Sequence, residues 1–285
     1  MSDLYRNRHT TPVFSLNATK GLLLGLIGLA IFCVFMHVAL AGADRTLYSD
    51  VLSLTAAGSA LALALNIIVR QELRGTLARL YASLGLGLAL WFVADAIWVY
   101  YEVVAFVETP FPSIADGFWI LGYVPVFYFL IGMLKHFLKL TKAIVVPLLI
   151  ASFAGIVFVG NALMYTYSQA DFTSFDGSIT FIVSSAYPVA DIFLLIPAVA
   201  AFIRLRKGLL TFAPWVAIVT AMILFIVADT GFAYFVMGGM DDLVWMWSPL
   251  YQIAYLAIAS SLFWYRKFFT VDEKKLLNQW KEQNR

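Results

Sequence analysis

The chain has 285 residues, of which 62% are hydrophobic and only 13% are charged. A soluble globular domain is about half apolar and about a quarter charged, so the composition excludes an ordinary soluble protein and indicates a polytopic membrane protein. The net charge is +2, and three histidines are few for a metalloenzyme. The single cysteine, Cys33, excludes an intrachain disulfide.

Eight apolar segments follow a polar, basic N-terminal segment, residues 1–20. Each segment is close to the ~20 residues that a helix needs to cross the bilayer. Only helices and closed barrels span lipid, and these segments do not alternate, so we predict an all-α fold with eight transmembrane helices in a domain covering 21–265. The predicted helices are 21–41, 47–69, 78–107, 114–138, 143–166, 178–203, 209–237 and 243–265.

Lysine and arginine divide cleanly between alternate connections. Of the 19 Lys and Arg residues, only Arg45 falls at an odd-numbered connection, and the others lie in or beside the N-terminal segment, the even-numbered connections and the tail. By the positive-inside rule, both termini are cytoplasmic and the odd-numbered connections face outward from the plasma membrane. The outward connections carry Asp44, Glu108, Asp171, Asp176, Asp241 and Asp242.

The last segment, 266–285, is polar and basic and predicts a separate short amphipathic helix in the cytoplasm. Asp272 is a suitable N-cap, and Leu276, Leu277 and Trp280 form an apolar stripe. We expect this tail to lie on the membrane surface or to dock on a partner.

The chain contains an internal repeat. Residues 91–101, WFVADAIWVYY, align with residues 225–235, FIVADTGFAYF, so that Asp95 matches Asp229. Self-similarity of this kind indicates a duplicated structural unit. Glu102 has no acidic counterpart, because its equivalent is Val236.

The segments that follow the repeat also correspond. Asp116, three residues before a tryptophan, matches Asp242, which has the same spacing. We therefore predict two copies of one helical hairpin in the same orientation, and PVADIF at 188–193 suggests a more diverged third copy. The predicted hairpins are 78–138 and 209–265, and the third is 143–203.

Several carboxyl groups lie within the predicted spans. A charged side chain at the bilayer centre costs roughly 2.5–3.5 kcal/mol on insertion scales, so intramembrane acids point to a function. Trp91, Asp95, Trp98 and Glu102 are spaced at i, i+4, i+7 and i+11, and so share one helical face. Protonation, hydrogen bonding within the bundle and a cation in a wet cavity would each accommodate these carboxyl groups.

These residues predict an outward-facing pocket that is both acidic and aromatic. Aromatic faces attract ammonium groups and a nearby carboxylate adds charge, which favours a small cation or a proton as the bound species. The candidate ligand-binding residues are Glu102, Asp95, Asp229, Trp91, Trp98, Asp116, Trp119, Tyr123, Asp191 and Tyr187.

Other chemistries lack their residues, and we predict neither an enzyme nor a metal site. The triplet beginning at Asp229, DTG, lies inside a predicted helix, whereas aspartic-protease chemistry pairs two carboxylates on loops. No predicted span has a lysine at its middle for a retinal Schiff base. His37 is interpreted as a hydrogen-bonded polar residue, and Gly85 and Gly87 are typical of helix packing. The sequence does not identify a cofactor.

The pattern of VAD motifs resembles a family of membrane sensors. PFPSIADGFWILGY at 110–123, YPVAD at 187–191 and VAD at 227–229 are similar to the multi-span N-terminal sensor region of bacterial and archaeal signalling proteins, found ahead of diguanylate cyclase, phosphodiesterase or histidine kinase domains. The resemblance covers roughly residues 80–265. It implies signal perception at the membrane, although no output domain follows in this chain.

Three functional hypotheses follow from the sequence. The first is a membrane sensor whose pocket is coupled to a cytoplasmic signalling protein. The second is a cation or proton transporter or channel that uses the same acids, and the third is a structural or assembly subunit. We expect contact with the lipid bilayer and none with nucleic acid, and the sequence leaves homo-oligomerisation open.

Overall fold

The computed structural model describes residues 12–70, 75–107, 111–137, 142–205 and 209–283, and the regular elements in these ranges are all helical. A π-helical turn, Tyr100–Val104, continues α3, and a 3-10 helix, Asp241–Met246, precedes α8. The predicted all-α fold is confirmed. The α-helices are α1 (Pro12–Ala39), α2 (Gly42–Arg70), α3 (Gly75–Val99), α4 (Ile114–Phe137), α5 (Lys142–Gln169), α6 (Phe175–Leu205), α7 (Leu209–Met237) and α8 (Ser248–Gln283).

Six of the helices, α2 to α7, are long and apolar enough to cross a membrane. This finding indicates a multi-pass membrane protein. The described apolar stretch of α1 is shorter, Leu24–Ala39, and the first part of α8 is interrupted by polar side chains such as Gln252. The crossing of the membrane by α1 and α8, and the orientation of the termini, therefore remain predictions.

Most helices extend beyond the predicted boundaries, while α7 has the predicted bounds. For example, α2 begins at Gly42 rather than at 47, and α6 begins at Phe175 rather than at 178. Hydropathy marks only the part of a helix that lies in lipid, whereas hydrogen bonding continues into polar residues at the ends. Pro249, expected inside a helix, lies in the first turn of α8, where proline is tolerated.

The tail is not a separate helix, and this prediction was wrong. Helix α8 continues without a break to Gln283, so Asp272 lies inside the helix rather than at an N-cap. No glycine or proline occurs between 266 and 283, so no residue typical of a helix end interrupts it. The apolar stripe predicted within the tail consists of side chains outside the described part of the protein.

A closed ring of six helices is formed by α2, α3, α4, α6, α7 and α8. Along the ring, α2 packs on α3, α3 on α4, α4 on α6, α6 on α7, α7 on α8, and α8 returns to α2. Helix α5 packs outside the ring against α6 and α7, and α1 packs outside it mainly against α8. The connections after α1, α3, α5 and α7 lie at one end, which we call the acidic end because it holds Asp44, Asp171, Asp176, Asp241 and Asp242.

The outer surface of the bundle is apolar. On α5, Leu149, Ile150 and Phe153 are 63%, 65% and 70% exposed. Such a continuous apolar surface is unfavourable in water but suits contact with lipid chains, as expected for a helix outside the ring.

Two glycines let α3 and α4 approach closely. A Cβ atom on Gly122 would lie 2.4 Å from the Trp91 ring, and one on Gly87 would lie 2.5 Å from a methyl group of Val126. Small residues at helix interfaces permit such contact in membrane bundles, and Gly87 packs as expected from the sequence. The close approach places the Trp91 ring against the backbone of α4.

Candidate functional site

A cavity of about 1080 Å³ lies inside the ring of six helices. Its lining runs from Gly42 and Asp242 at the acidic end to Trp91 and Tyr255 near the middle of the bundle, and each helix of the ring contributes side chains to it. The volume is at the upper end of the ~300–1,000 Å³ found for small-molecule sites. It is therefore large enough for an organic molecule.

Aromatic side chains form the floor of the cavity. Trp91 lies against Tyr123 and Phe225 with ring centroids 5.5 and 5.4 Å apart, and Phe225 lies 5.4 Å from Tyr255. All four side chains are buried. Edge-to-face and tilted contacts at these distances are favourable, so the floor is tightly packed.

The structure brings together the residues predicted to form the pocket. Every candidate except Asp191 lines the cavity, including the four residues of the shared helical face. Asp191 is buried behind the lining and contacts it through Tyr123. The candidates in the lining are Glu102, Asp95, Asp229, Trp91, Trp98, Asp116, Trp119, Tyr123 and Tyr187.

Tyr123 joins two carboxyl groups from different helices. Its hydroxyl oxygen lies 2.8 Å from Asp191 Oδ1 and 2.9 Å from Asp229 Oδ2, and the two carboxyl groups also interact with each other. A hydroxyl has one hydrogen to donate, so Tyr123 donates to one carboxylate and accepts from the other carboxyl group when that group is protonated. The arrangement suits a pair that holds one proton between its two acids.

Indole groups position Asp95. The Trp119 Nε1–H donates to Asp95 Oδ1 at 3.1 Å, and the Trp91 Nε1–H donates to the Trp119 carbonyl at 2.9 Å. Tyr255 interacts with the same carboxyl group. Each tryptophan thus has its apolar ring in the bundle and its N–H on a polar group, as expected for a buried indole.

Asp116 is held at the start of α4. The Ser113 backbone N–H donates to Asp116 Oδ2, and the Tyr187 hydroxyl donates to Oδ1 at 2.7 Å. A carboxylate in the first turn also interacts favourably with the positive end of the helix dipole. These contacts tie the N-terminus of α4 to α6.

The contacts pair the two hairpins differently from the alignment. Asp116 is buried and hydrogen-bonded, whereas Asp242 is exposed in the 3-10 helix, so the two are not equivalent in the structure. Asp95 accepts from Trp119, and Asp229 accepts from Tyr251. Tyr251 therefore takes the structural place of Trp119.

A second correspondence crosses between the hairpins. Tyr123, four residues after Trp119, contacts Asp229 of the other hairpin, and Tyr255, four residues after Tyr251, interacts with Asp95. The partner helices thus correspond by their aromatic residues rather than by Asp-x-x-Trp.

Asp50 is a member of the site that the candidate list omitted. It lies on α2, is 5% exposed and lines the cavity. Its side chain interacts with the Glu102 carboxyl group. Like charges repel, so such a contact is stable when one group is protonated or a cation lies between them. The available signal was an acid within an apolar segment, but α2 is outside the predicted hairpins.

Glu102 lies on the π-helical turn. The turn is closed by the Ala105 backbone N–H, which donates to the Tyr100 carbonyl at 2.9 Å. Single π-helical turns occur frequently at functional sites, because the extra residue re-aims the side chains that follow it. The turn carries Glu102 on the acidic end of the cavity wall.

Arg45 is the basic residue among the described lining residues. Its guanidinium carbon lies 3.7 Å from the Trp245 ring centroid, and its Nε–H donates to the Leu40 carbonyl at 2.9 Å. These contacts hold the guanidinium group at the mouth, where Trp245 and α2 meet.

His37 belongs to a polar contact among α1, α2 and α8 that lies behind the cavity lining and reaches it through Ser49 and Ser53. His37 Nδ1 lies 2.8 Å from the Cys33 carbonyl, and Gln252 Nε2 donates to Ser49 and Ser53 while lying 3.5 Å from His37 Nε2. The histidine is fully buried and has hydrogen-bond partners, in agreement with the interpretation from the sequence. Within the described ranges, no group of three or more His, Cys, Asp and Glu residues is arranged to hold a metal ion.

Comparison with known proteins gives no relative: no family model matches the chain, and no similar curated protein or solved structure was found.

Proposed function

We propose that the protein is a membrane signal-perception module. A stimulus occupies or protonates the acidic, aromatic cavity, and α8 transmits the change to a signalling protein in the cytoplasm. The observation that carries this proposal is a cavity with a packed aromatic floor, one wall of which is the long helix α8. The resemblance of the VAD motifs to membrane sensor regions supports the same function.

The packed floor favours sensing over an open channel. A channel needs a continuous polar path, whereas Trp91, Tyr123, Phe225 and Tyr255 pack against one another in the cavity lining near the middle of the bundle. A ligand that enters from the acidic end would therefore be held rather than conducted. With the acidic end outward, as the positive-inside rule predicts, the cavity would face the cell exterior.

Helix α8 connects the cavity to the opposite end of the bundle. Ser248, Tyr251 and Tyr255 line the cavity, and the same helix continues to Gln283. From Tyr255 to Gln283 the helix rises by about 40 Å at ~1.5 Å per residue. Because an uninterrupted helix moves largely as a unit, a displacement at the cavity wall would reach the cytoplasmic end.

Tethering an occupant in the cavity tests this coupling. In a Cys33→Ala background, Val236→Cys places a thiol in the cavity lining, and a methanethiosulfonate reagent attaches an ethyltrimethylammonium group to it. Hydrogen–deuterium exchange in residues 266–283 is then measured in nanodiscs. We expect the tethered group to change exchange there.

The matched control is Phe175→Cys, labelled with the same reagent. Phe175 is 80% exposed at the acidic end and lies outside the cavity lining. Labelling at this position should leave exchange in 266–283 unchanged. Equal exchange in labelled and unlabelled Val236→Cys protein would contradict the sensor proposal.

A cation or proton transporter is the second candidate, and one observation favours it. Asp191 lies behind the lining, is joined to Asp229 through Tyr123, and has an Oδ2 atom without a hydrogen-bond partner. A chain of acids and a tyrosine can relay protons. Proton or tetramethylammonium flux into proteoliposomes that Asp229→Asn abolishes would replace the sensor with a transporter. If acid-to-amide variants changed only stability, the structural-subunit hypothesis would stand.

A further inference from the structure

We infer that the cavity binds a small organic cation, an alkylammonium compound, at Asp50, Asp95 and Glu102 on the α2–α3 wall. The other two deep carboxyl groups of the lining, Asp116 and Asp229, hold the helices together instead. This inference names the ligand class of the proposed sensor cavity and so rests on the proposed function.

The first argument is that two carboxyl groups are already fully bonded. Both oxygens of Asp116 accept hydrogen bonds, from Ser113 and Tyr187. Both oxygens of Asp229 have a tyrosine partner, Tyr123 or Tyr251. These contacts join α4 to α6 and α7 to α4 and α8, so they explain the acids without a ligand.

On the α2–α3 wall, Asp50 and Asp95 are less completely bonded, although Asp95 Oδ1 accepts from Trp119. Asp50 and Asp95 are 5% and 7% exposed, both line the cavity, and the Oδ2 atom of each has no hydrogen-bond partner. Leaving a buried polar atom unpaired is unfavourable, and more so when the group is charged. Both residues line the cavity, so a donor that enters it would pair with these oxygens once the carboxyl groups rotate toward it.

Glu102 adds a third carboxyl group to the same wall. It interacts with Asp50, and Asp95 lies close enough to act on Asp50 electrostatically. By contrast, the exposed Asp171 outside the cavity accepts hydrogen bonds from Thr173 and Ser174, which lower its pKa. Asp50 and Asp95 each keep one oxygen without a donor, so a bound cation would relieve the repulsion that Glu102 and Asp95 exert on Asp50.

The charge of the whole lining agrees with a cationic ligand. The only basic side chain among the described lining residues is Arg45, which is engaged at the mouth by Trp245. Eight Asp and Glu side chains share the lining with it.

The aromatic walls favour an organic cation over a metal ion. The Trp98 ring lies 5.6 Å from the Trp119 ring and 6.5 Å from the Phe232 ring, and all three rings line the same cavity as the acids. An organic cation is attracted to a tryptophan face, whereas hard metal ions need six or more oxygen ligands. The cavity volume also exceeds what a bare ion requires.

Binding of choline and its uncharged isostere, 3,3-dimethyl-1-butanol, tests the inference. The full chain in nanodiscs is titrated with each compound, and binding is measured by calorimetry and by tryptophan fluorescence. We expect choline to bind at least about tenfold more tightly than the isostere, because only choline carries the charge. Equal binding of the two compounds, or no binding of choline, would overturn the inference.

Variants assign the site to the α2–α3 wall. Asp50→Asn and Asp95→Asn should each weaken choline binding by about tenfold or more, while Asp50→Glu, which keeps the charge, retains it. Asp176→Asn is the control, because Asp176 is an exposed acid outside the lining. Unfolding midpoints confirm that each variant is folded, and Glu102→Gln replaces any variant that is not. Choline binding that is unchanged in Asp50→Asn, Asp95→Asn and Glu102→Gln would contradict this assignment.

The two proposals fail separately. If choline binds but tethering at Val236→Cys leaves exchange in α8 unchanged, the ligand class is supported and the sensor is not. If tethering changes α8 while choline does not bind, the sensor is supported and the cation site is wrong.

Discussion

Tyr123 on α4 makes polar contacts with two other helices. One hydroxyl group serves Asp191 on α6 and Asp229 on α7, and the ring packs against Trp91 on α3. The side chain therefore joins four helices of the ring. Its loss would leave two buried carboxyl groups with one partner fewer.

We expect Tyr123→Phe to lower the free energy of unfolding by about 1–2 kcal/mol, within the range for hydrogen bonds between membrane helices and for buried polar groups left unpaired. The measurement is the thermal unfolding midpoint in detergent. Tyr128→Phe is the control, since Tyr128 is 55% exposed on the same helix. Equal midpoints for the two variants would show that the hydroxyl contacts add nothing to stability.

At the scale of elements, the composition of α8 changes from apolar to polar along its length, although its backbone is one continuous helix. Its first turns line the cavity, whereas its last turns consist of the polar segment after residue 266. The change in composition marks where the helix leaves the apolar region, but it contains no signal for a helix end. A rigid connection from the cavity to the far end is the result.

Breaking this connection should uncouple the two ends. Phe268→Gly with Phe269→Gly weakens the helix by about 1 kcal/mol per residue relative to alanine. We expect the double-glycine variant to lose the effect of tethering at Val236→Cys on exchange in 266–283. The matched variant Phe268→Ala with Phe269→Ala should retain it, and loss in both would point to the phenylalanine side chains instead of the helix.

The same comparison shows what the sequence can predict about elements. The spacing of Trp91, Asp95, Trp98 and Glu102 correctly placed these residues on one surface, because helical periodicity is a local property. The partners of each acid depend on how helices lie against one another, and an alignment of two segments does not contain that information. For this reason the alignment matched Asp116 with Asp242, which are not equivalent in the structure. It did not show that Tyr251 binds Asp229 as Trp119 binds Asp95.

At the scale of the whole molecule, the distribution of charge predicts that the cavity opens outward. In intact cells, a membrane-impermeant thiol reagent should label Val236→Cys in the Cys33→Ala background. It should label Lys135→Cys, an exposed position at the end of the bundle opposite the acidic end, only after the cells are permeabilised. The reverse labelling pattern would show that the acidic end faces the cytoplasm.

The ring itself was not predictable from the order of the helices. Hydropathy identifies the apolar segments, and six of them are confirmed as long enough to cross the membrane. It does not show that α4 packs on α6 while α5 lies outside, because both helices are apolar. Asp50 joins the cavity only because α2 closes the ring between α3 and α8.

The crossed contacts of Tyr123 with Asp229 and of Tyr255 with Asp95 bear on how the protein is made. During insertion the first hairpin enters the bilayer with Asp95 before Tyr255 has been synthesised, and Tyr123 waits for Asp229 in the same way. Neither hairpin can complete its own polar contacts. We therefore expect these crossed contacts to be completed only after α8 has been synthesised, and until then Asp95 has Trp119 of its own hairpin as a partner.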